Sequence, residues 1–466
     1  MATGEDLSQP GVVGVIGAGV MGQGIAQLCA QAGCQTLLHD VSPEACRQAR
    51  DNIEKALQKR VDRGRLEAAA ATETLRRLEI VDSLDAFAAA DIVIEAVVED
   101  LAIKHQLVAQ LERYCATETL LCTNTSSLSV GAIAEPARHP ARVAGLHFFN
   151  PAPVMKLVEV VRTAHTSDAV IERLETFARH LGKIPVVAQD SPAFIVNRCA
   201  RPFYSETLVM LEEGLAGVST LDRAIRGNLG TPLGPFELMD LVGLDINLKA
   251  TETVWAAFDH HPRFAPSPEI QRRVDRGDLG RKSGRGFHDY ATTPKQPAIE
   301  KTPPTAADAS TLAEHLAAEL NLTVAVSDGR LAREAAGGDP LIWLDQNLVS
   351  WDETPMTLAC VAIGLDADRT EQALAAARAQ GVTLVPIDDR PGLIAQRLAV
   401  MLRQEAERVV SEGVAQAEDI DTALRYGLNF RAGPFTLAAE LDDRCAVHIL
   451  ERLRAEDTTG RYRQDG

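Results

Sequence analysis

At 466 residues the chain is too long for one hydrophobic core and has room for about three domains. Its formal charge of −18 opposes non-specific binding to nucleic acid or anionic membrane, since both require clustered Lys and Arg. With 46% apolar but only 4% aromatic residues, the composition suits helix-rich α/β packing and excludes an all-β sandwich.

The eight cysteines form no C-x-x-C and share no metal-like spacing, so reduced thiols of a cytoplasmic protein are expected and no metal is implied. The N-terminus, Met1-Ala-Thr-Gly-Glu-Asp6, lacks an apolar signal core, and no run approaches the ~20 apolar residues of a membrane span.

In chain order, Val12–Ile16 reads as a buried strand running into Gly17-Ala18-Gly19-Val20-Met21-Gly22, followed by a helical pattern that stops at Gly33. Gly17 allows the tight turn, Gly19 leaves room for a pyrophosphate at the helix N-terminus, and Gly22 lets helix and strand pack closely. A second strand, Gln35–His39, leads to Asp40, about 20 residues on, where a carboxylate accepts from a ribose hydroxyl. No Arg follows Asp40 directly, which favours NAD over NADP. A charged helix over 43–62 comes next, then the strand Asp91–Val97, which brings Glu99 and Lys104 to the sheet's ligand-binding edge. Glu99 reads either as a ribose contact or as an acidic helix N-terminus. The strand Thr119–Thr123 ends in Asn124-Thr-Ser126-Ser127, hydroxyls at the same edge, with Ser127 or Ser129 the better helix cap.

His147 and Glu159 sit on two apolar runs joined by a loop that holds Asn150, Pro151 and Pro153. The prolines forbid continuous helix, so the pair is expected to face across adjacent strands. An imidazole that accepts a proton near neutral pH works better when a carboxylate fixes its tautomer and stabilises the imidazolium. From Ser191-Pro192 the pattern turns helical, with Pro in the first turn, and an all-helical segment continues to Tyr290.

The glycine turn, the Glu-Ala-Val-Val-Glu-Asp strand end, Asn-Thr-Ser-Ser-Leu, His-Phe-Phe-Asn-Pro and Asp190-Ser-Pro-Ala-Phe-Ile-Val-Asn-Arg198 together resemble the 3-hydroxyacyl-CoA dehydrogenase family. That resemblance implies that His147 is the catalytic base, Glu159 its orienting partner, and Ser126 and Asn197 further active-site contacts. It places Asp40, Glu99, Lys104 and Asn150 on the dinucleotide and assigns Lys282 to the cofactor from the second domain. The reaction implied is NAD-dependent oxidation of a (3S)-3-hydroxyacyl-CoA thioester, in fatty-acid or phenylacetate-type aromatic breakdown. A homodimer through helical domains is also implied.

The helical segment then recurs at a constant offset of 199: Asp190/Asp389, Pro192/Pro391, Glu213/Glu412, Asp222/Asp421 and Gly234/Gly433 indicate a duplicated unit. Gln396 replaces Asn197, so the copy is expected to pack and not to catalyse. Between the copies, strands at Leu322–Val326, Met356–Ala362 and Val382–Ile387 form a small α/β unit, read as a shrunken nucleotide-binding fold because one glycine replaces several.

The expected architecture is therefore a Rossmann-type α/β domain (10–189), an all-α domain (190–290), a linker with a degenerate α/β unit (291–388), and a second copy of the all-α domain (389–466). Long family members of this duplicated type resemble enzymes acting on 3-hydroxyadipyl-CoA, and shorter ones favour 3-hydroxybutyryl-CoA, including in the reductive direction. Two competing readings are a β-hydroxyacid dehydrogenase, which uses a lysine base, and a non-catalytic NAD-binding protein.

Overall fold

The computed structural model describes residues 11–291, 306, 308–349 and 356–463. The N-terminal hexapeptide and most of the expected linker lie outside the described residues. These fall into two units, one running to Val196 and adding Val410–Gly427, the other comprising Asn197–Val409 and resuming at Leu428.

The first unit is built on eight strands: β1 Val12–Ile16, β2 Gln35–His39, β3 Leu78–Ile80, β4 Ile92–Glu95, β5 Leu120–Thr123, β6 Val143–Phe148, β7 Leu157–Arg162 and β8 Ile184–Gln189. They lie in the order β3-β2-β1-β4-β5-β6-β7-β8, all neighbours parallel except β6 and β7. Continuous apolar runs such as Val12–Ile16 suit this arrangement, because helices cover both faces of a parallel sheet. The order reverses direction between β1 and β4, and beyond the carboxyl ends of those strands a doubly wound sheet leaves its ligand crevice. The charged helix occupies Pro43–Asp62. β3 and β8 extend the sheet at its two edges and were not among the strands read from sequence.

The helix expected from Pro192 starts later. Ala193 and Phe194 have φ of 67° and 49°, outside the helical region, and the first turn is Val196–Cys199. The left-handed residues turn the Ile195 and Val196 amides onto Glu159 Oε1, at 3.1 and 2.9 Å, a use of helix N-terminal donors that sequence periodicity does not reveal. The helix Ala417–Gly427 packs on β7 and β8 of this sheet, and Gln189 donates to the Val414 carbonyl at 2.8 Å.

The second unit holds the helical segments and a four-stranded sheet of β9 Thr323–Val326, β10 Leu341–Leu344, β11 Met356–Ile363 and β12 Val382–Pro386. Its order is β9-β10-β11-β12, with only β10 and β11 antiparallel, which repeats the pattern of β5 to β8. The expected degenerate α/β unit is therefore a copy of the carboxyl half of the first sheet, without the half that carries the glycine turn. The offset of 199 runs through it: helix Asp168–His180 recurs as Ala367–Ala379. Asp190 accepts from the Val130 and Gly131 amides at 3.1 and 2.7 Å, and Asp389 accepts from those of Ala332 and Arg333 at 2.7 and 3.1 Å. The helix Val218–Leu229 covers β11, where Asn228 Nδ2 donates to the Thr357 carbonyl at 3.0 Å. Its repeat is the helix Ala417–Gly427 of the first unit.

Within the second unit the helical copies are joined by reciprocal ion pairs. Arg198 Nε meets Glu405 at 2.7 Å and Arg397 Nε meets Glu206 at 2.6 Å. All four groups are buried.

Candidate active site

The glycine turn follows β1 as expected, and its backbone fits a dinucleotide. Gly17 has φ +101°, and a side chain there would sit 2.5 Å from the Ala96 carbonyl. A side chain at Gly22 would meet the Gly17 carbonyl at 1.7 Å, whereas one at Gly19 would meet nothing within 4 Å. The helix that begins at Val20 has no side-chain cap and no acidic residue in its first turn, so its amides are available to phosphate oxygens. Asp40 Oδ2 accepts from the Ala18 amide at 2.8 Å and Oδ1 from the Ser42 amide at 2.9 Å, which braces the turn against the end of β2. Val20, Val41 and Val98, following β1, β2 and β4, are 71%, 96% and 64% exposed and give this edge the apolar surface a flat base would cover.

At the end of β4 the structure reveals a carboxylate that the sequence reading gave no role. Glu95 is buried and takes Lys104 Nζ on both oxygens at 2.7 and 2.9 Å, with Thr123 Oγ1 on Oε1. Lys104 is 1% exposed and also lies 3.4 Å from Glu99. Its charge is spent holding two strand ends together. A glutamate inside an apolar strand followed nine residues later by a helical lysine was the available signal. Glu99 accepts from Thr125 Oγ1 at 3.0 Å and from the Ser126 amide at 2.9 Å. The helix cap is Asp100, which accepts from the Ile103 amide at 3.0 Å, so Glu99 is free of that task. Ser129, and not Ser126, caps the next helix; Ser126 is exposed.

Asn124 Oδ1 accepts from the Phe148 amide at 2.8 Å, fastening the β5 loop to β6. His147 and Glu159 are direct partners across β6 and β7, with Nδ1 and Oε2 2.6 Å apart. His147 is 6% exposed and Glu159 0%, and the imidazole packs on Phe149 and Phe194 at 4.6 and 5.8 Å between ring centroids. Since Glu159 can only accept while ionised, Nδ1 carries the proton and Nε2 keeps the basic lone pair. The Ile195 and Val196 amides donate to the other carboxylate oxygen, which fixes the orientation of the carboxylate. Asn150 is exposed in the loop between these strands.

In the second unit, Asn197 is half-buried in its short helix. Lys282 lies on the turn Arg281–Ser283 and is paired with Asp245, Nζ to Oδ2 2.7 Å. In the repeat, Gln346 stands where His147 does, Leu358 where Glu159 does, and Gln396 where Asn197 does. Asp345 takes the Ile394 and Ala395 amides at 3.2 and 2.7 Å, and Gln396 Nε2 donates to the Ser327 carbonyl and Gln346 at 2.6 and 3.1 Å. Gln346 and Leu358 thus supply neither the imidazole nor the carboxylate that orients it. Among the described residues there is no cluster of His, Cys, Asp and Glu that could hold a metal ion, and no helix long and apolar enough to cross a membrane. All eight cysteines are buried and unbridged.

Comparison with known proteins agrees with this architecture. Residues 12–191 match the family model "3-hydroxyacyl-CoA dehydrogenase, NAD binding domain", and 194–290 and 392–465 each match "3-hydroxyacyl-CoA dehydrogenase, C-terminal domain". The 3-hydroxyadipyl-CoA dehydrogenase of Escherichia coli (strain K12) is 41% identical, over 97% of this chain and 95% of its own length. A probable 3-hydroxybutyryl-CoA dehydrogenase of Bacillus subtilis (strain 168) is 38% identical over 59% of this chain and 96% of its own. The crystal structure of 3-hydroxybutyryl-CoA dehydrogenase from Escherichia coli K12 superposes with a TM-score of 0.87 at 39% identity, covering 98% of this chain and 97% of the other. The chain thus belongs to the 3-hydroxyacyl-CoA dehydrogenase family of NAD-dependent oxidoreductases.

Proposed function

We propose that this dehydrogenase works through His147 as its general acid–base, oriented by Glu159, on (3S)-3-hydroxyacyl-CoA thioesters. The observation that carries the reading is the 2.6 Å bond from His147 Nδ1 to Glu159, whose other oxygen is fixed by two backbone amides. NAD, when bound, supplies the hydride acceptor. His147 Nε2 takes the proton of the 3-hydroxyl as the carbonyl forms, and Glu159 stabilises the resulting imidazolium. In the reverse direction the same nitrogen returns the proton to the ketone oxygen. Ser126 and Asn197 would orient the reacting oxygens, and Gly17 to Gly22, Asp40, Glu99, Asn150 and Lys282 would hold the dinucleotide. Lys104 belongs to this set through its hold on Glu95 and Glu99.

The four-part division made from the sequence, use in fatty-acid or aromatic catabolism, and a cytoplasmic location are part of the same reading. So is a homodimer through helical domains, which the exposed Leu241, Val242 and Ile246 support as an apolar contact surface. His147→Gln assayed for acetoacetyl-CoA-dependent NADH oxidation tests the mechanism; a wild-type rate would overturn it. Light scattering tests the dimer.

A further inference from the structure

Arg198 and Arg397, both buried, and the half-buried Arg263 have glutamate partners: Arg198 and Arg263 on Glu405, and Arg397 on Glu206. Arg201 differs. It is 7% exposed, yet its Nε donates to the Asn197 carbonyl at 2.8 Å and its Nη1 to Thr251 Oγ1 at 3.2 Å, both neutral. Tyr204 lies beneath it, 5.1 Å from guanidinium carbon to ring centroid. Among the described residues no carboxylate pairs with it. Burial pulls its pKa below the ordinary arginine value, with only Tyr204 opposing.

Arg201 borders a small cavity of about 20 Å³ whose polar wall also holds Ser205, Asn247, Thr251, Ser267 and Arg461 and whose remainder is largely apolar. Among the described residues lining it, none is acidic, in a chain carrying a net −18. Among the described residues, the Arg461 guanidinium donates from Nη1 to the Arg263 carbonyl, at 3.2 Å. Two guanidinium groups facing one cavity with neutral partners leave charge that an anionic ligand would balance. An arginine kept from water without an anion is costly, and its planar fork matches a carboxylate.

We propose that this cavity receives the terminal carboxylate of a dicarboxylic acyl-CoA, with Arg201 as the residue that reads it. The proposal rests on Asn197 being a substrate contact, as in the reading above. Arg201 lies one helical turn after Asn197, about 6 Å along the axis, a reach that a few methylene groups beyond the reacting carbon can span. The apolar wall suits those methylenes, and the guanidinium suits the acid that ends them. A phosphate of the coenzyme A half shares the anion's chemistry, but it is present in every acyl-CoA and would give no discrimination between acyl ends.

The test compares kcat/KM with NAD for 3-hydroxyadipyl-CoA and 3-hydroxybutyryl-CoA, the first longer by two carbons, of which the last is the terminal carboxylate. The adipyl-to-butyryl ratio should fall by about 30-fold or more in Arg201→Leu, as for loss of a desolvated charge-assisted pair, and recover in part in Arg201→Lys. Arg461→Gln, at a half-exposed position, should lower the ratio by about threefold and decides the matter if Arg201→Leu does not fold. A ratio that stays within about threefold in Arg201→Leu, or parallel losses on both substrates, overturns the proposal and leaves the dehydrogenase reading intact. Wild-type protein inactive on both thioesters would overturn the dehydrogenase reading itself.

Discussion

Arg198 and Glu405 are 207 residues apart in sequence and 2.7 Å apart in space, and Arg397 with Glu206 repeats the relationship in reverse. Arg397 also meets Glu213 at 2.8 Å and the Tyr462 hydroxyl at 3.0 Å, but Glu213 is exposed, so losing Glu206 removes the buried counter-charge of the pair. Glu206→Leu should therefore destabilise the fold by roughly 3 to 5 kcal/mol, measured by urea unfolding. Glu206→Leu combined with Arg397→Met should recover much of that loss; equal destabilisation in both variants would mean that packing and not charge is at stake.

Replacing Glu159 tests the orienter separately from the base. Glu159→Gln keeps an acceptor for the Ile195 and Val196 amides but no longer stabilises an imidazolium. The expected result is a fall in kcat of about 100-fold with little change in the melting temperature. An unchanged kcat would remove Glu159 from the mechanism.

Gln396→Ala should leave turnover near wild type, since the repeat holds Gln346 and Leu358 in place of the base and its partner. A loss of about 100-fold or more in steady-state rate would reveal a working second site.

Asp345 gives a pH signature. Burial pushes its carboxyl up to about 6 from an ordinary 3.8, against the pull of the Ala395, Gln346, Ile394 and Gln396 amides. The folded chain thus holds this proton more tightly than the unfolded chain. Its contribution to stability is fully present below about 3.8 and is lost as pH rises through about 6. Relative to Asp345→Asn, the wild type should lose roughly 3 kcal/mol of unfolding free energy between pH 4 and 7. Parallel curves for the two proteins would contradict the assignment.

Gly22→Ala should abolish NAD binding and lower stability, because the added methyl would lie 1.7 Å from the Gly17 carbonyl and force the turn open. Calorimetric titration with NAD measures it; wild-type affinity would refute the packing account.

Much of this was legible in the sequence because the signals are local. A glycine turn between a strand and a helix, and a histidine and a glutamate on either side of paired prolines, declare themselves within a few residues. The positive φ of Phe194 and its repeat Leu393, 49° and 51°, could not be read, since neither residue favours that conformation and only the demand of Glu159 or Asp345 for two amides explains it. Strand β10 was missed because Leu341-Ile-Trp-Leu344 is short and lacks alternation. Glu95 was hidden by the strand that contains it, and Arg201 by a helix in which any arginine passes for surface charge. The reciprocal pairs of Arg198 and Arg397 were within reach, because the offset found in the helical copies also maps Glu206 onto Glu405.

The helix Ala417–Gly427, seated on β7 and β8, ties the nucleotide domain to a segment that follows the whole second α/β unit in the chain. During synthesis the sheet bearing His147 and Glu159 must wait for residues that leave the ribosome after the whole intervening unit. A nonsense codon well beyond the last active-site residue would still leave the catalytic sheet with a bare apolar flank, prone to aggregate.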